Sequence, residues 1–356
     1  MEIIRQIVPQ EHRKAKPDQK ALGFGKYFTD HMLTMTYLER KGWHDLTIGP
    51  YADFSFDPAA MVLHYGQAIF EGLKAYRGED GHFYLFRPAA NFMRMNVSAE
   101  RMCMPELPVQ EVLAALRELI LLEKEWIPAN KGASLYIRPT MVATEPGLGV
   151  RPARQYLFFI ILSPVGAYYP EGFNPVKIFV TDKYVRALPG GVGHVKTAGN
   201  YAASIMAAVE AQRQGYTQVL WLDARERKYV EEVGTMNIFF VLDNVVVTPP
   251  LTGSILPGIT RQSVLRLLRD WGEEVVERPV SIDEVLEAGK NGRLQECFGT
   301  GTAAVISPVG SLVYQDSVCT INGGTAGLDF SKGHHYRFAH LAGRALASAS
   351  RFSLNE

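Results

Sequence analysis

The chain has 356 residues, 47% of them hydrophobic and 21% charged, which suits a soluble globular protein of about two domains. Lys+Arg and Asp+Glu each total 37, which excludes a broad electrostatic footprint for nucleic acid or an anionic membrane surface. The three cysteines, Cys103, Cys297 and Cys319, are too few and too scattered for a disulfide framework or a zinc site, and the nine histidines show no ligand spacing. No metal is therefore expected. No apolar run approaches the ~20 residues of a membrane span. The polar stretch from Met1 to Lys20 lacks the apolar core of a signal peptide and any transit-peptide character, so a cytoplasmic protein is expected.

In chain order, residues 31–48 read as strands turned at Lys41-Gly42. Met61 to Tyr65 reads as a short strand leading into Phe70-Glu71-Gly72-Leu73-Lys74. Phe83 to Phe86 is a further strand. Pro88 suits the first turn of a helix that carries Phe92, Met95 and Val97. Val109 to Trp126 predicts the clearest helix, with Leu113, Leu116, Ile120 and Leu121 on one side. In Ser134 to Thr140, the period of two puts Tyr136 and Arg138 on one strand face, a good fork for a carboxylate. Pro139 removes a backbone donor, which predicts an edge strand or a strand end. The apolar run Tyr156 to Leu162 predicts a strand buried on both faces. A shift to Pro and Gly over 169–175 marks a connection, so the expected domains are 1–169 and 185–356, joined by 170–184.

The second half holds Gly190-Gly191-Val192-Gly193-His194-Val195-Lys196-Thr197-Ala198-Gly199-Asn200-Tyr201, a lysine inside a glycine-rich, mobile loop. A helix pattern follows, with Ala202, Ile205, Met206 and Val209 on its apolar face. A phosphate-binding P-loop is excluded, because Val195 stands where its second glycine must be. Two readings of Lys196 remain, a solvated surface residue or a nucleophilic amine of the kind that reacts with pyridoxal phosphate. Gln218 to Leu222, Ile238 to Leu242 and Val245 to Val247 read as strands, the last two turned at Asn244. Glu232 lies at the mouth of an apolar strand, where a carboxylate is costly unless paired. Leu256-Pro257-Gly258-Ile259-Thr260 opens a helix through Trp271, stopped by Gly272, and its amide-rich start suits a phosphate. Phe298-Gly299-Thr300-Gly301-Thr302-Ala303-Ala304 reads as a second anion-binding turn, and 331–350 as a last helix.

Together these motifs resemble the branched-chain-amino-acid aminotransferases among the fold-type IV pyridoxal phosphate enzymes. The carrying stretches are Phe70-Glu71-Gly72-Leu73-Lys74, Leu85-Phe86-Arg87-Pro88, Tyr136-Ile137-Arg138-Pro139, Lys196 to Tyr201, Glu232 to Asn237, Leu256-Pro257-Gly258 and Gly299 to Ala303. The resemblance runs from about Phe24 to the last helix. It implies a two-domain α/β (α+β) fold with pyridoxal 5'-phosphate at the domain interface. It also implies reversible, ping-pong transfer of the amino group of L-leucine, L-isoleucine or L-valine to 2-oxoglutarate through pyridoxamine phosphate.

Residue by residue, the resemblance makes Lys196 the Schiff-base lysine and proton shuttle, Glu232 the partner of the pyridine nitrogen and Tyr201 the donor to the ring oxygen. Arg94 is the phosphate arginine, with Ile259, Thr260 and Thr302, and Thr235 completes the cofactor set. Tyr136 and the amides of Thr302 and Ala303 receive the substrate α-carboxylate, and Arg138 takes the side-chain carboxylate of glutamate. Phe24, Phe70 and Tyr168 line an apolar pocket. Tyr65, Leu148 and Val150 reach the pocket of a neighbouring subunit, which implies a homodimer. Ala304 and Ser307 stand where some members carry a redox Cys-x-x-Cys, so no thiol switch is expected there. D-amino-acid aminotransferases and aminodeoxychorismate lyases share the lysine and glutamate and are the alternative within the same fold type.

Overall fold

A computed structural model describes residues 1–130, 132–166 and 175–324, and the backbone of 351–353. Tyr168, the first part of the expected connection (170–174) and the expected helix over 331–350 lie outside the described residues. The chain divides into two compact units. One comprises Met1–Tyr168, Val195–Ala198 and Ser350–Glu356, the other Tyr169–His194 and Gly199–Ala349. The lysine segment thus groups with the first unit.

Among the described residues, the first unit is built on a nine-stranded sheet. Its order is Ile4–Arg5, Gly42–Pro50, His31–Leu38, Gln155–Val165, Ser134–Ala143, Leu73–Arg77, Phe83–Phe86 and Arg351–Ser353, with Ala68–Phe70 also pairing on Ser134–Ala143. Tyr156, Phe158, Ile160 and Leu162 are buried, whereas Leu157, Phe159 and Ile161 are only partly so. The strand expected to be buried on both faces therefore alternates, as an antiparallel strand with one core face does. The helices Pro88–Arg101 and Val109–Leu122 bury Phe92, Met95, Leu116 and Ile120 in the same core. Val97 is 50% exposed, and the second helix ends at Leu122, with Lys124–Trp126 a separate 3-10 turn.

Two local expectations are corrected. Met61–Tyr65 is a short helix, not a strand, closed by Gly66 in the left-handed region at φ 61°, whose N–H donates to the Val62 carbonyl at 3.1 Å. Five residues are too few for periodicity to separate the two states. Pro139 lies inside a central strand, not at an edge or an end: Ser134–Ala143 pairs with Gln155–Val165 along its whole length. On the other flank the register runs Phe70↔Thr140 and then Leu73↔Ile137, so Glu71 falls opposite Pro139. The Glu71 N–H donates to the Pro139 carbonyl at 2.8 Å, and proline has no N–H to return the bond. The ladder breaks there, which is how a central strand accommodates this proline.

The described residues of the second unit also hold a nine-stranded sheet. Val230–Val233, Gln218–Leu222, Val176–Thr181, Val305–Tyr314, Leu294–Gly301 and Met236–Leu242 follow one another, and Val230–Val233 pairs back onto Met236–Leu242. These strands close into a ring, and every residue of Met236–Leu242 is buried. Asp243 and Asn244, both at positive φ (51° and 68°), make the tight turn into Val245–Thr248. Outside the ring, the helix Ala198–Arg213 buries Ala207 and Ala211 against Val219 and Trp221. The expected apolar face is not its packed side, since Ile205 is 60% and Met206 56% exposed and Ala202 is exposed too. Small alanines let the helix axis approach Trp221 closely, and that contact outweighs the larger side chains.

Candidate functional site

Within the first unit, Lys196 sits on a pinned segment, which corrects the expectation of a mobile loop. Val195 and Thr197 are buried. The Phe70 N–H donates to the Lys196 carbonyl at 3.0 Å, and the Thr197 hydroxyl donates to the Ala68 carbonyl at 2.8 Å. The Lys196 N–H donates to Ser98 Oγ at 3.0 Å. The backbone at the lysine is thus fixed on both sides, and the side-chain Nζ lies 4.7 Å from the centre of the Phe70 ring.

The break opposite Pro139 turns Glu71 inward, where it is fully buried. Arg94 grips it with both arms of its fork, Nε to Oε1 at 2.7 Å and Nη2 to Oε2 at 2.9 Å. Asn91 Nδ2 donates to the same carboxylate at 2.9 Å and to the Gly72 carbonyl at 3.1 Å, while the Gly72 N–H turns to Glu71 Oε2 at 3.1 Å. Burial pushes the Glu71 carboxyl up, but the charge and hydrogen bonds of Arg94, with Lys196 and Asn91, hold it below the usual carboxylate range. Asn91, Arg94 and Ser98 project from one helix at spacings of three and four, so a single helix face supports both the carboxylate and the lysine segment.

The expected substrate residues of this unit come together. Phe24 packs edge-on against Tyr136, with centroids 5.0 Å apart. Arg138 Nη2 donates to the Tyr136 hydroxyl at 3.1 Å, and the guanidinium lies 4.7 Å from the Phe70 centroid. Phe70 is therefore flanked by two cations, Lys196 and Arg138. The buried Nε–H of Arg138 has no acceptor among the described residues. Gly72 makes the arrangement possible, because a Cβ there would lie 2.1 Å from the Tyr136 hydroxyl oxygen. Away from this cluster, the Tyr65 hydroxyl donates to the Leu148 carbonyl, and Leu148 and Val150 are 69% and 86% exposed.

In the second unit, Glu232 is buried with its carboxylate held at both oxygens. Asn237 Nδ2 donates to Oε1 at 2.9 Å and to the Leu256 carbonyl at 2.9 Å, and Arg186 Nε lies 2.6 Å from Oε2. Leu256 leads into the helix Ile259–Asp270, whose first residues Ile259 and Thr260 are buried and whose N-terminus carries no side-chain cap. A Cβ on Gly258 would lie 2.0 Å from Asn237 Oδ1, so glycine lets this turn close over the carboxylate's partner. Tyr201 is half-buried in the first turns of Ala198–Arg213. Thr302 and Ala303 are half-buried in the turn between Leu294–Gly301 and Val305–Tyr314, and Thr235 is exposed. Gly299 and Thr300, expected in a turn, belong to the strand, so the turn itself is shorter than expected.

Sequence reasoning did not find Arg186 or Asn237, nor Glu71, Asn91 and Ser98 as supports. The signal was the cost of burying Glu232 and Arg94, which requires partners. The two units hold the kinds of group that a pyridine ring bearing a phosphate needs: an amine and an arginine in the first, and a phenol, a fixed carboxylate and an uncapped helix start in the second. Among the described residues no cluster of His, Cys, Asp or Glu could hold a metal ion, and no helix is long and apolar enough to cross a membrane.

The Amino-transferase class IV family matches residues 68–312, and the chain belongs to that family. Its relatives include the branched-chain-amino-acid aminotransferase 2 of Bacillus subtilis (strain 168), 56% identical over 88% of this chain and 87% of the relative. The branched-chain-amino-acid transaminase 1 of the same organism is 57% identical over 90% of each chain. The solved T.th. branched-chain amino acid aminotransferase with pyridoxamine 5'-phosphate has a TM-score of 0.73 at 26% identity, covering 90% of this chain and 98% of that one. The same enzyme complexed with N-(5'-phosphopyridoxyl)-L-glutamate gives a TM-score of 0.72.

Proposed function

We propose that this chain is a pyridoxal 5'-phosphate-dependent branched-chain-amino-acid transaminase, moving the amino group of L-leucine, L-isoleucine or L-valine reversibly to 2-oxoglutarate. The observation that carries this reading is that the Lys196 amine and the Arg138 guanidinium each lie 4.7 Å from the centre of the Phe70 ring. An amine for proton transfer and a carboxylate receptor thus share one apolar ring.

When bound, pyridoxal phosphate supplies a carbonyl for amine exchange and a ring that accepts electron density from the substrate Cα. Arg94, the start of Ile259–Asp270 and Thr302 hold its phosphate. Glu232 holds the proton on the ring nitrogen, Tyr201 donates to the ring oxygen, and Thr235 completes the set. Lys196 Nζ takes the proton from the substrate Cα, a general-base step at a group whose backbone is already fixed. Tyr136 and the amides of Thr302 and Ala303 receive the α-carboxylate. Phe24 and Phe70 provide apolar surface for a branched side chain.

One site must accept both leucine and glutamate. The unsatisfied Nε–H of Arg138 offers a donor for the glutamate side-chain carboxylate. With leucine bound, the same guanidinium keeps its contacts with Phe70 and Tyr136. The exposed Tyr65, Leu148 and Val150 serve the site of a second copy in a homodimer acting in the cytoplasm.

The test is the visible absorption of the purified protein. L-Leucine added without an oxo acid is expected to bleach the band of the bound cofactor, and 2-oxoglutarate to restore it. A band bleached by D-alanine but not by L-leucine would overturn the substrate class.

A further inference from the structure

Arg186 lies ten residues before the lysine in the sequence, outside every motif that identifies the site, yet it is buried at the root of the lysine loop. Its Nε is 2.6 Å from Glu232 Oε2, and the two side chains are only 9% and 4% exposed. Its Nη2 donates to the Gly193 carbonyl at 3.1 Å and to the Ser254 carbonyl. Gly193 belongs to the loop that leads to Lys196, and Ser254 to the loop that leads to the Leu256 turn. These two backbones meet so closely that a Cβ on Gly193 would lie 2.2 Å from the Ser254 carbonyl oxygen. The Ser254 hydroxyl donates in turn to the buried Glu231. One guanidinium therefore ties together a carboxylate and two loops.

The contacts divide by type. Arg186 Nε–H has no aligned acceptor, so its contact with Glu232 is ionic rather than a directed hydrogen bond. The Nη2 contacts are directed, to carbonyls that would otherwise lose their donor. Asn237 supplies the directed bond to Glu232 from the other side. Asn237 thus gives Glu232 a directed bond and Arg186 a charge, while the two loops are tied by the Arg186 fork and by a contact of His194 Nδ1 with the Gly253 carbonyl at 3.1 Å.

We infer that Arg186 is a positioning residue of the transamination site, holding charged the Glu232 carboxylate that would pair with the cofactor's ring nitrogen, and the lysine loop against the Ser254 loop. The inference rests on the cofactor reading above. It predicts two separable effects. Removing the charge raises the pH at which the visible band of the bound cofactor changes, because Glu232 without its cation brings more net negative charge to the cofactor and favours the protonated form. Removing the fork weakens cofactor binding, because the loops must then be ordered on binding.

The experiment compares wild type, Arg186→Met and Arg186→Lys as holoenzymes. The pH midpoint of the visible band is read, and the pyridoxal phosphate dissociation constant is measured by titration of stripped protein. Arg186→Met is expected to bind about tenfold or more weakly and to shift the midpoint upward by ~0.5–1 unit. Arg186→Lys keeps the charge but cannot reach both carbonyls. It is expected to weaken binding by ~3–10-fold with its midpoint near that of wild type. If Arg186→Met does not fold, the lysine variant decides alone, and wild-type affinity in it overturns the inference. Unchanged midpoint and affinity in a folded methionine variant overturn it as well. Wild-type protein that binds no pyridoxal phosphate sinks the cofactor reading itself, a result distinct from either variant outcome.

Discussion

The two units solve one problem, keeping a carboxylate charged in a dry interior, by different means. In the first, Glu71 is met from one helix and its own neighbour. Arg94 and Asn91 come from that helix, and the Gly72 amide comes from the adjacent residue. In the second, Glu232 is met from two separate elements, Arg186 in the stretch before the lysine and Asn237 opposite it on the next strand of the ring. Breaking a carboxylate held from one helix disturbs one helix face. Breaking the other disturbs several loops at once. The glycines tell the same story: a Cβ at Gly72 would meet the end of the Tyr136 side chain, whereas one at Gly193 would meet the backbone of Ser254.

The largest expected effect ignores this contrast and tests the chemistry beneath it. Lys196→Ala should lower leucine turnover at least ~10,000-fold with the fold intact by circular dichroism. Retained wild-type turnover would remove Lys196 from the mechanism. Next, Glu71→Ala removes the carboxylate gripped by both arms of the Arg94 fork and should cost ~3–5 kcal/mol in urea unfolding. A cost under ~1 kcal/mol would mean that water satisfies that arginine. Smaller, and aimed at the contrast, Gly193→Ala should destabilise by ~1–3 kcal/mol, because a backbone must move. Gly72→Ala should cost less stability but raise the KM for amino acids, since only the Tyr136 ring has to swing. Equal stability losses would erase the distinction between the two glycines.

The subtlest test is the slope of stability with pH. Glu71 is held below the ordinary carboxylate range, so its contribution is present above that range and is lost as pH falls through the depressed value. Glu231 is opposite in sign. Burial raises it, with Ser254 and Arg186 opposing, so its contribution is present in acid and is lost as pH rises through the raised value. Glu231→Gln should therefore gain on wild type as pH rises, and Glu71→Gln should lose on it. Parallel stability curves would contradict both assignments.

The residues proposed for the site stood out in the sequence because the family resemblance assigns each of them a role. Lys196, Arg94, Tyr136, Arg138 and Glu232 were singled out in this way. Their supports were not, because a residue that touches only another protein group leaves no spacing signature. Arg186 is one charged residue among many until its partner is known. The strands were read well where alternation or turn residues were strong, as at Phe83–Phe86 and Gln218–Leu222. The failures have physical causes. Met61–Tyr65 is too short for a period, and Ala198–Arg213 packs through alanines rather than through its larger apolar residues. Pro139 sits in a central strand because its neighbour is broken in register with it.

That proline has a consequence for how the first unit opens. Because the residue opposite Glu71 offers no amide, Ala68–Phe70 and Leu73–Arg77 are zipped to the same strand as two separate blocks. Unzipping the block next to the lysine segment need not propagate into the sheet beyond it. In amide exchange the two blocks should release their protons independently, so the first unit can breathe beside Lys196 without surrendering its core.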